Sequence, residues 1–429
     1  MTPQSDFMVA APIVPDREAG LRALLATMNS APGIVDPDNA LVPFARFDRL
    51  HVARFVILQD ETLDDLKQYG GQTFENPPVW LVFLGDCDGP SDTMLAEFVA
   101  LAGAGLAMIF EHCKEFDRSG DLLAWMQAHS ATPAAQYVNW VGRTVQQIRE
   151  EAALHAALSG RLRNAAAFAG QSALDIHRQL AASVRRDGPQ LTPPASTPLG
   201  WLASKIGNMI GVPIALVALL PFFVVYAPFF FWELRRREKS DAVVAPRPTP
   251  DHVHALSLLE DHDVTNQFSA FGTVKPGWFR LSTLILIFWV LNFSTRQIYT
   301  RGRLARVGTI HFARWVFMDN RHRLLFASNY DGSLDSYMDD FINKVAYGLN
   351  LVFSNGVGYP RTKFLLSGGA KEEMTFKYYL RRHQVPTQVW YKAYLGLTTA
   401  DLARNTQIRE GLESQTMTEA DARRWLAMI

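Results

Sequence analysis

Two short strings hold the residues of this chain best suited to chemistry. His51-Val-Ala-Arg54-Phe and His311-Phe-Ala-Arg314-Trp repeat one pattern, a histidine followed three positions later by an arginine. Histidine titrates near neutral pH, so each could act as an acid–base group or as a metal or haem ligand. Arginine stays charged, and when buried it needs a carboxylate or several carbonyls around it. Each string is followed by an Asp-Gly pair, Asp88-Gly89 and Asp331-Gly332, and Asp86, Asp88 and Asp331 are candidate partners for the arginines. The catalytic candidates are therefore Asp88, Arg54, Asp331 and Arg314. The ligand-binding candidates are His51, His311, Trp315 and Tyr391, the last from the aromatic segment Trp390-Tyr-Lys-Ala-Tyr394. A structural reading stands beside each of these. The Arg and Asp residues could form an ion pair repeated twice, the histidines could be hydrogen-bonded core residues, and Asp-Gly suits tight turns and helix starts. The aromatics could simply pack.

Both strings read as β-strands, in which side chains alternate faces. His311, Ala313, Trp315 and Phe317 then share one face, with Phe312, Arg314, Val316 and Met318 on the other. The same split applies to His51 and Arg54. Both faces are apolar, so the sheet is expected to be covered on both sides.

Other signals are negative. Gly368-Gly369 reads as a strand-ending turn, since no phosphate-loop Lys-Ser/Thr follows. His252, His254 and His262 lie among acids in a linker without fixed metal-ligand spacing, and no metal site is expected. No nucleophile elbow, zinc-protease or dinucleotide fingerprint is present. Cys87 and Cys113 are too few for a disulfide scaffold. Lys+Arg and Asp+Glu are both 42, and a net charge of zero argues against nucleic acid as partner. The first twenty residues lack the features of a signal peptide.

The elements that carry these residues form an internal repeat. Displaced by 243 residues, Phe83–Phe116 falls on Phe326–Tyr359 without a gap, with Asp88, Gly89 and Phe98 among eight identities. Downstream, His129, Tyr137, Trp140, Gly142 and Thr144 match His383, Tyr391, Tyr394, Gly396 and Thr398 in order. Within each copy the periodicities predict strands at Leu50 to Leu58 and Ile310 to Met318, then at Trp80 to Leu84 and Leu324 to Ala327. An amphipathic helix follows, with Leu95, Phe98 and Leu106, or Met338, Phe341 and Leu349, on its apolar stripe. An earlier strand and helix precede each pair. Ala135 to Val141 and Thr387 to Tyr394 supply closing strands. The fold class expected is α+β, two fused ferredoxin-like repeats of βαββαβ type.

Between the copies, Ile206 to Trp232 contains no charged residue over 27 positions and is followed by Arg235, Arg236, Arg237 and Lys239. That is long enough to cross a bilayer. Val212, Leu216, Leu220, Phe223, Phe229 and Trp232 are its membrane-facing candidates. Pro213, Pro221 and Pro228 interrupt it, which favours a re-entrant or in-plane segment bent at Pro221. A second apolar run, Leu281 to Thr295, falls in the first-helix slot of copy two and reads as a repeat helix rather than a span. The expected organisation is a repeat at 1–160, a helical, Pro-rich linker at 161–198, a membrane segment at 199–239, a linker at 240–254, a second repeat at 255–415 and a tail helix at 416–429. Both repeats are expected on the cytoplasmic side of an inner membrane.

The duplicated order resembles the dimeric α+β-barrel superfamily, which includes dye-decolorising peroxidases and chlorite-dismutase-like haem proteins. Gly85-Asp-Cys-Asp88-Gly89 meets the peroxidases' G-x-x-D-G motif, while Ser328-Asn-Tyr-Asp331-Gly332 lacks its first glycine. The resemblance implies haem as cofactor, His311 or His51 as its ligand, and Asp88 or Arg314 acting on peroxide. Separately, Ile310-His-Phe-Ala-Arg-Trp-Val and Ser328-Asn-Tyr-Asp-Gly-Ser are similar to strings in a bacterial family of membrane-associated proteins of unknown function, which implies no activity. The sequence thus leads to a membrane-associated protein that binds a lipid or lipophilic small molecule between two ferredoxin-like repeats. A haem-dependent oxidoreductase and a non-catalytic interaction module are the alternatives. Whether the chain is an enzyme, and whether it forms an oligomer, stay open.

Overall fold

The computed structural model describes residues 1–429, leaving aside the side chains of Ala165 and Ala167. The chain is α+β with antiparallel sheets. In chain order come β1 (Gln4–Pro12), α1 (Glu18–Ala26), β2 (Leu50–Leu58), β3 (Trp80–Asp88), α2 (Ser91–Phe110) and β4 (Ala135–Val138). Three helices follow: α3 (Val145–Leu162), α4 (Ala173–Asp187) and the long α5 (Leu199–Ser240). Then come β5 (Thr265–Thr273), α6 (Trp278–Gln297), β6 (Ile310–Met318), β7 (Arg323–Asp331), α7 (Leu334–Phe353), β8 (Thr387–Lys392), α8 (Thr399–Glu413) and α9 (Glu419–Leu426).

Two four-stranded sheets result, ordered β1-β3-β2-β8 and β5-β7-β6-β4. The outer strand of each comes from the opposite half of the chain. Trp390 of β8 lies opposite Arg54 of β2, and Gln136 of β4 lies opposite Arg314 of β6. Before crossing, each closing segment touches the first strand of its own half. Ser130 bridges Val9 and Gln384 bridges Ala270, and the Ala131 and Val385 N–H groups donate to Met8 O and Ser269 O.

The layers run helix, sheet, sheet, helix. Leu21 and Leu25 of α1 and Leu95, Phe98 and Leu106 of α2 cover one sheet through Phe7, Phe55 and Phe83. Leu284 and Phe288 of α6 and Phe341 and Leu349 of α7 cover the other through Phe268, Trp315 and Phe326. Between the sheets, Met8, Val56, Val82 and Leu84 meet Phe271, Val316 and Leu325. All nine residues of β2 are buried, as expected for strands apolar on both faces. Helices α3, α4, α8 and α9 form a separate cluster around Leu158, Leu180, Ile408 and Trp425.

Three helices are long and apolar enough to cross a membrane: α2, α5 and α6. They differ in what already covers them. In their most apolar stretches α2 is 44% buried and α6 33%, whereas α5 is not buried at all. The run Leu281 to Thr295 is therefore a sheet-covering helix, as its repeat slot predicts, with Ile285, Leu286, Trp289 and Val290 left on its outer face.

Helix α5 does not turn back at Pro221, as a re-entrant segment would. It is continuous from Leu199 to Ser240 through all three prolines. At 1.5 Å per residue it is about 63 Å long. The prolines, at i, i+8 and i+15, fall within about 80° of one another around the helix, so any bends they cause add in one direction. Both ends of α5 touch the same body. Trp201, Ser204 and Asn208 border a cleft with Thr295, Arg296 and Gln297 at the end of α6, while the Phe230 ring lies 5.4 Å from that of Phe279 at its start. Helix α5 thus runs antiparallel along α6 and does not project from the body. A span that separated the two halves is incompatible with their shared sheets.

Strand exchange makes each half incomplete. Residues 1–198 or 241–429 produced alone are expected to be insoluble or to lack cooperative unfolding, and to become soluble on co-expression. A cooperatively folded single half by circular dichroism would contradict the exchange.

Candidate functional site

The two histidines are positioned by β-bulges. Leu50 pairs with Cys87 and Val52 with Asp86, so His51 is an extra residue in β2; Ile310 and Phe312 bracket His311 in the same way opposite Tyr330 and Asn329. A bulge breaks strict alternation. This corrects the expectation that His and Arg of each string face opposite sides. The His51 ring lies 5.4 Å from Phe312 of the other sheet, and both histidines sit on the inter-sheet side with the arginines.

Each histidine meets the Asp of its Asp-Gly pair. His51 Nε2 is 3.0 Å from Asp88 Oδ1, and its Nδ1 is 3.2 Å from the Tyr394 hydroxyl. His311 Nε2 is 2.6 Å from Asp331 Oδ1, which also accepts from the Thr265 hydroxyl. The second carboxylate oxygen holds a helix start. Asp88 Oδ2 accepts the Val145 N–H of α3 at 2.8 Å, and Asp331 Oδ2 accepts the Thr399 N–H of α8 at 2.7 Å. A carboxylate at a helix N-terminus satisfies an otherwise orphaned donor and complements the helix dipole. Gly89 and Gly332 follow at φ 77° and 85°, where glycine carries no steric cost. Gly85 has a different role: a Cβ there would collide with Val52 O beside the bulge. The G-x-x-D-G string is thus accounted for by packing, a helix clamp and a turn.

Burial pushes His311 below its ordinary value, against the pull of Asp331. Burial also raises Asp331, but His311 and the Thr399 donors outweigh it and hold the carboxyl below the usual range. A neutral imidazole donating to a carboxylate is the consistent state. His383, whose Nδ1 meets Tyr379 O at 2.8 Å, is likewise lowered by burial.

The arginines cross between sheets in a reciprocal arrangement. Arg54 donates to Phe268 O and Ser328 O, each at 2.9 Å, and these residues are opposite one another in β5 and β7. Arg314 donates to Phe7 O and Gly85 O, each also at 2.9 Å, opposite one another in β1 and β3. The polar neighbours differ. Arg314 lies 2.5 Å from Asp86, with Asp6 at 4.0 Å. Arg54 meets Asn329 and Ser269, and no carboxylate. Burial and then Arg314 lower the Arg54 guanidinium. Of the expected partners, Asp86 pairs with an arginine, while Asp88 and Asp331 belong to the histidines.

The candidates do not assemble into one open site. His51 and His311 flank Tyr394, with ring separations of 5.8 and 6.3 Å. Trp315 stacks on Phe326 in one outer core and Tyr391 on Phe44 in the other, each at 5.0 Å, so neither joins the histidines as a ligand-binding residue. The histidines are 1% and 3% exposed. These residues do not fit a haem. Nε2 of each histidine is engaged by a carboxylate, His51 Nδ1 by Tyr394, and both Asp88 oxygens are occupied. Among the described residues no group of three or more His, Cys, Asp or Glu side chains is placed to hold a metal ion.

Open space lies elsewhere, at the foot of α5. Two adjoining clefts of about 420 and 610 Å³ share Phe74, Lys275 and Pro276. Asp241 Oδ2 there receives Lys275 Nζ at 2.7 Å and Arg280 Nη2 at 2.6 Å. No sequence motif marks these residues. The one available signal is Lys275-Pro-Gly-Trp-Phe-Arg280, two cations just before an apolar helix.

Two outcomes follow from this geometry. Arg314→Ala strands the buried Asp86 and is expected to cost roughly 3–5 kcal/mol. Arg54→Ala strands no carboxylate and is expected to cost less; equal losses in chemical denaturation would show that Asp86 does not depend on Arg314. The lowered His311 and Asp331 both mean that the unfolded chain binds more protons, so stability rises with pH and is lost as pH drops. The His311 share is lost as pH falls below about 6.5, and the Asp331 share as it falls below about 3.9. Melting temperature is expected to drop from about pH 7 to about pH 5, and His311→Gln to flatten part of that drop. An unchanged slope would show that His311 titrates normally.

The chain matches no model of a known protein family, and none of the curated proteins compared with it is significantly similar.

Proposed function

We propose that the chain is a membrane-attached binding protein. It is built from two ferredoxin-like units that close each other's sheet, and it takes a lipid or lipophilic small molecule at its bilayer-facing surface. The matching sheet orders support the duplication, as do the equivalent His–Asp–helix clamps and the reciprocal arginines. In each unit the first, third and second strands lie side by side with helices on one face, the core of the ferredoxin-like pattern. The layer between the sheets is filled by Arg54, Arg314 and apolar side chains. A lipophilic ligand is therefore better accommodated along α5 and α6.

The observation that carries this reading is α5. It offers 27 uncharged residues with none of its most apolar stretch buried, and both of its ends rest on one body. A helix apolar all round needs apolar surroundings on every side. Here the outer face of α6 would supply one side and hydrocarbon the others. Helix α6 cannot cross the bilayer beside α5, because its Phe279, Leu284 and Phe288 pack into the body. Both helices would therefore lie along one leaflet, with both units on the same side. The basic stretch Arg235 to Lys239 favours the cytoplasmic side.

Val217 and Val225 are 71% and 82% exposed on α5. An aspartate in hydrocarbon costs about 2.5–3.5 kcal/mol at a helix centre. Val217→Asp with Val225→Asp is expected to leave the fold intact and release the protein from vesicles in flotation. Retained flotation would overturn the membrane reading.

A further inference from the structure

We infer that the cleft at the foot of α5 binds a phosphate-type anion, the headgroup phosphate of an anionic lipid. The inference rests on the membrane reading for the source of the phosphate, and on the cleft itself for the chemistry.

The cleft of about 420 Å³ is lined by Arg237, Lys275 and Arg280 against one carboxylate, Asp241. That one negative charge faces two cations, since the same oxygen accepts from Lys275 and Arg280. Arg237 has its own partner, Glu233, one turn back on α5. The remaining pair therefore carries a net positive charge in a mostly buried place. Arg280 is 1% exposed, and its Nε and Nη1 have no hydrogen-bond partner. Buried guanidinium N–H groups left unpaired are costly, and an oxyanion entering the cleft would bring negative charge that Asp241 alone does not supply. Burial, and after it Arg280, bring Lys275 down to about 8 against the pull of Asp241, and its Nζ also donates to Ser354 O at 2.7 Å.

The location indicates which phosphate. The cleft opens where the apolar length of α5 ends, beside Trp278, which is largely exposed at the start of α6. The Arg236 guanidinium lies over the Trp232 ring at 5.7 Å and that of Arg237 over Phe279 at 5.3 Å. Aromatic and basic residues together mark the headgroup level of a bilayer. The adjoining cleft of about 610 Å³ is lined by Trp278, Leu281 and Pro276 together with Glu75, Asp319, Arg321 and Arg323, a polar mixture that suits the glycerol rather than an acyl chain.

The test uses the full chain in neutral detergent, with melting temperature as readout. The probes are dihexanoyl phosphatidylglycerol, dihexanoyl phosphatidylcholine and inorganic phosphate at matched concentration. The glycerol lipid is expected to raise the melting temperature by several degrees and the choline lipid by much less. Arg280→Gln should abolish the difference. Should that variant fail to fold, Arg237→Gln, on the partly exposed wall, should reduce the difference, and Arg236→Gln, which does not line the cleft, should leave it unchanged. An equal shift with inorganic phosphate alone would support the anion site while assigning it to soluble phosphate. Equal shifts with both lipids, or a full shift in a folded Arg280→Gln or Arg237→Gln protein, would overturn the site. The assay needs no vesicle. Loss of flotation by the α5 aspartate variant together with a retained shift would separate membrane attachment from anion binding.

Discussion

Two buried guanidinium groups, each passed from one sheet to backbone carbonyls of the other, tie the halves of this molecule together. A charge placed between apolar layers is tolerable only if its donors are spent, and each arginine spends two on a pair of facing strand residues. Phe268 with Ser328, and Phe7 with Gly85, offer their carbonyls across the inter-sheet layer at 2.9 Å in every case. That match fixes how one sheet sits over the other. Everything at the sheet ends, including the His–Asp pairs and the starts of α3 and α8, is then held in mirrored positions.

The two arginines are not energetically equal. Asp86 accompanies Arg314, while Asn329 stands in the corresponding place beside Arg54. Burial raises the Asp86 carboxyl and Arg314 opposes it. Two carboxylates and two arginines in one layer would put four charges between the sheets. Replacing one acid by its amide keeps the hydrogen bond and removes one desolvated charge. The histidines belong to this framework. Their carboxylates serve as struts between a bulged strand and a helix start, which explains why Asp-Gly recurs where no open site exists.

Much of this could be read from local sequence. The strands follow from period-two apolar runs, and the likeness of the two halves shows in His-x-Ala-Arg followed by Asp-Gly in the same order, though at different intervals. The Leu281 to Thr295 run was legible as a sheet-covering helix because its slot, rather than its hydropathy, decided the matter. Three features were not legible. Exchange of β4 and β8 is a choice between two equally apolar sheet edges, which no local pattern encodes. The bulges at His51 and His311 shift faces by one residue, so alternation counted from either end misplaces the histidines. The cleft cations and Asp241 come from three segments, Arg237–Asp241, Lys275 and Arg280, and only the docking of α5 onto α6 brings them together. At Pro221 a local rule pointed to a bend or a re-entrant turn; single prolines spaced two turns apart each remove one hydrogen bond, and the helix stays continuous through all three.

The rigid body and the exposed apolar helix form one account: the crossed arginines fix the sheets, the sheet of β5, β7, β6 and β4 carries α6, and α6 sets the line along which α5 lies. The most direct test is the depth of α5 in a reconstituted bilayer. Nitroxide labels at Ile206, Val217 and Val224, all exposed and within about 20° of one another around the helix, span about 27 Å of it. Collisional quenching is predicted to report one shallow depth for all three, just below the headgroups. A depth that changes steadily along the three positions, passing through the bilayer centre, would mean that α5 crosses the membrane and would contradict the account.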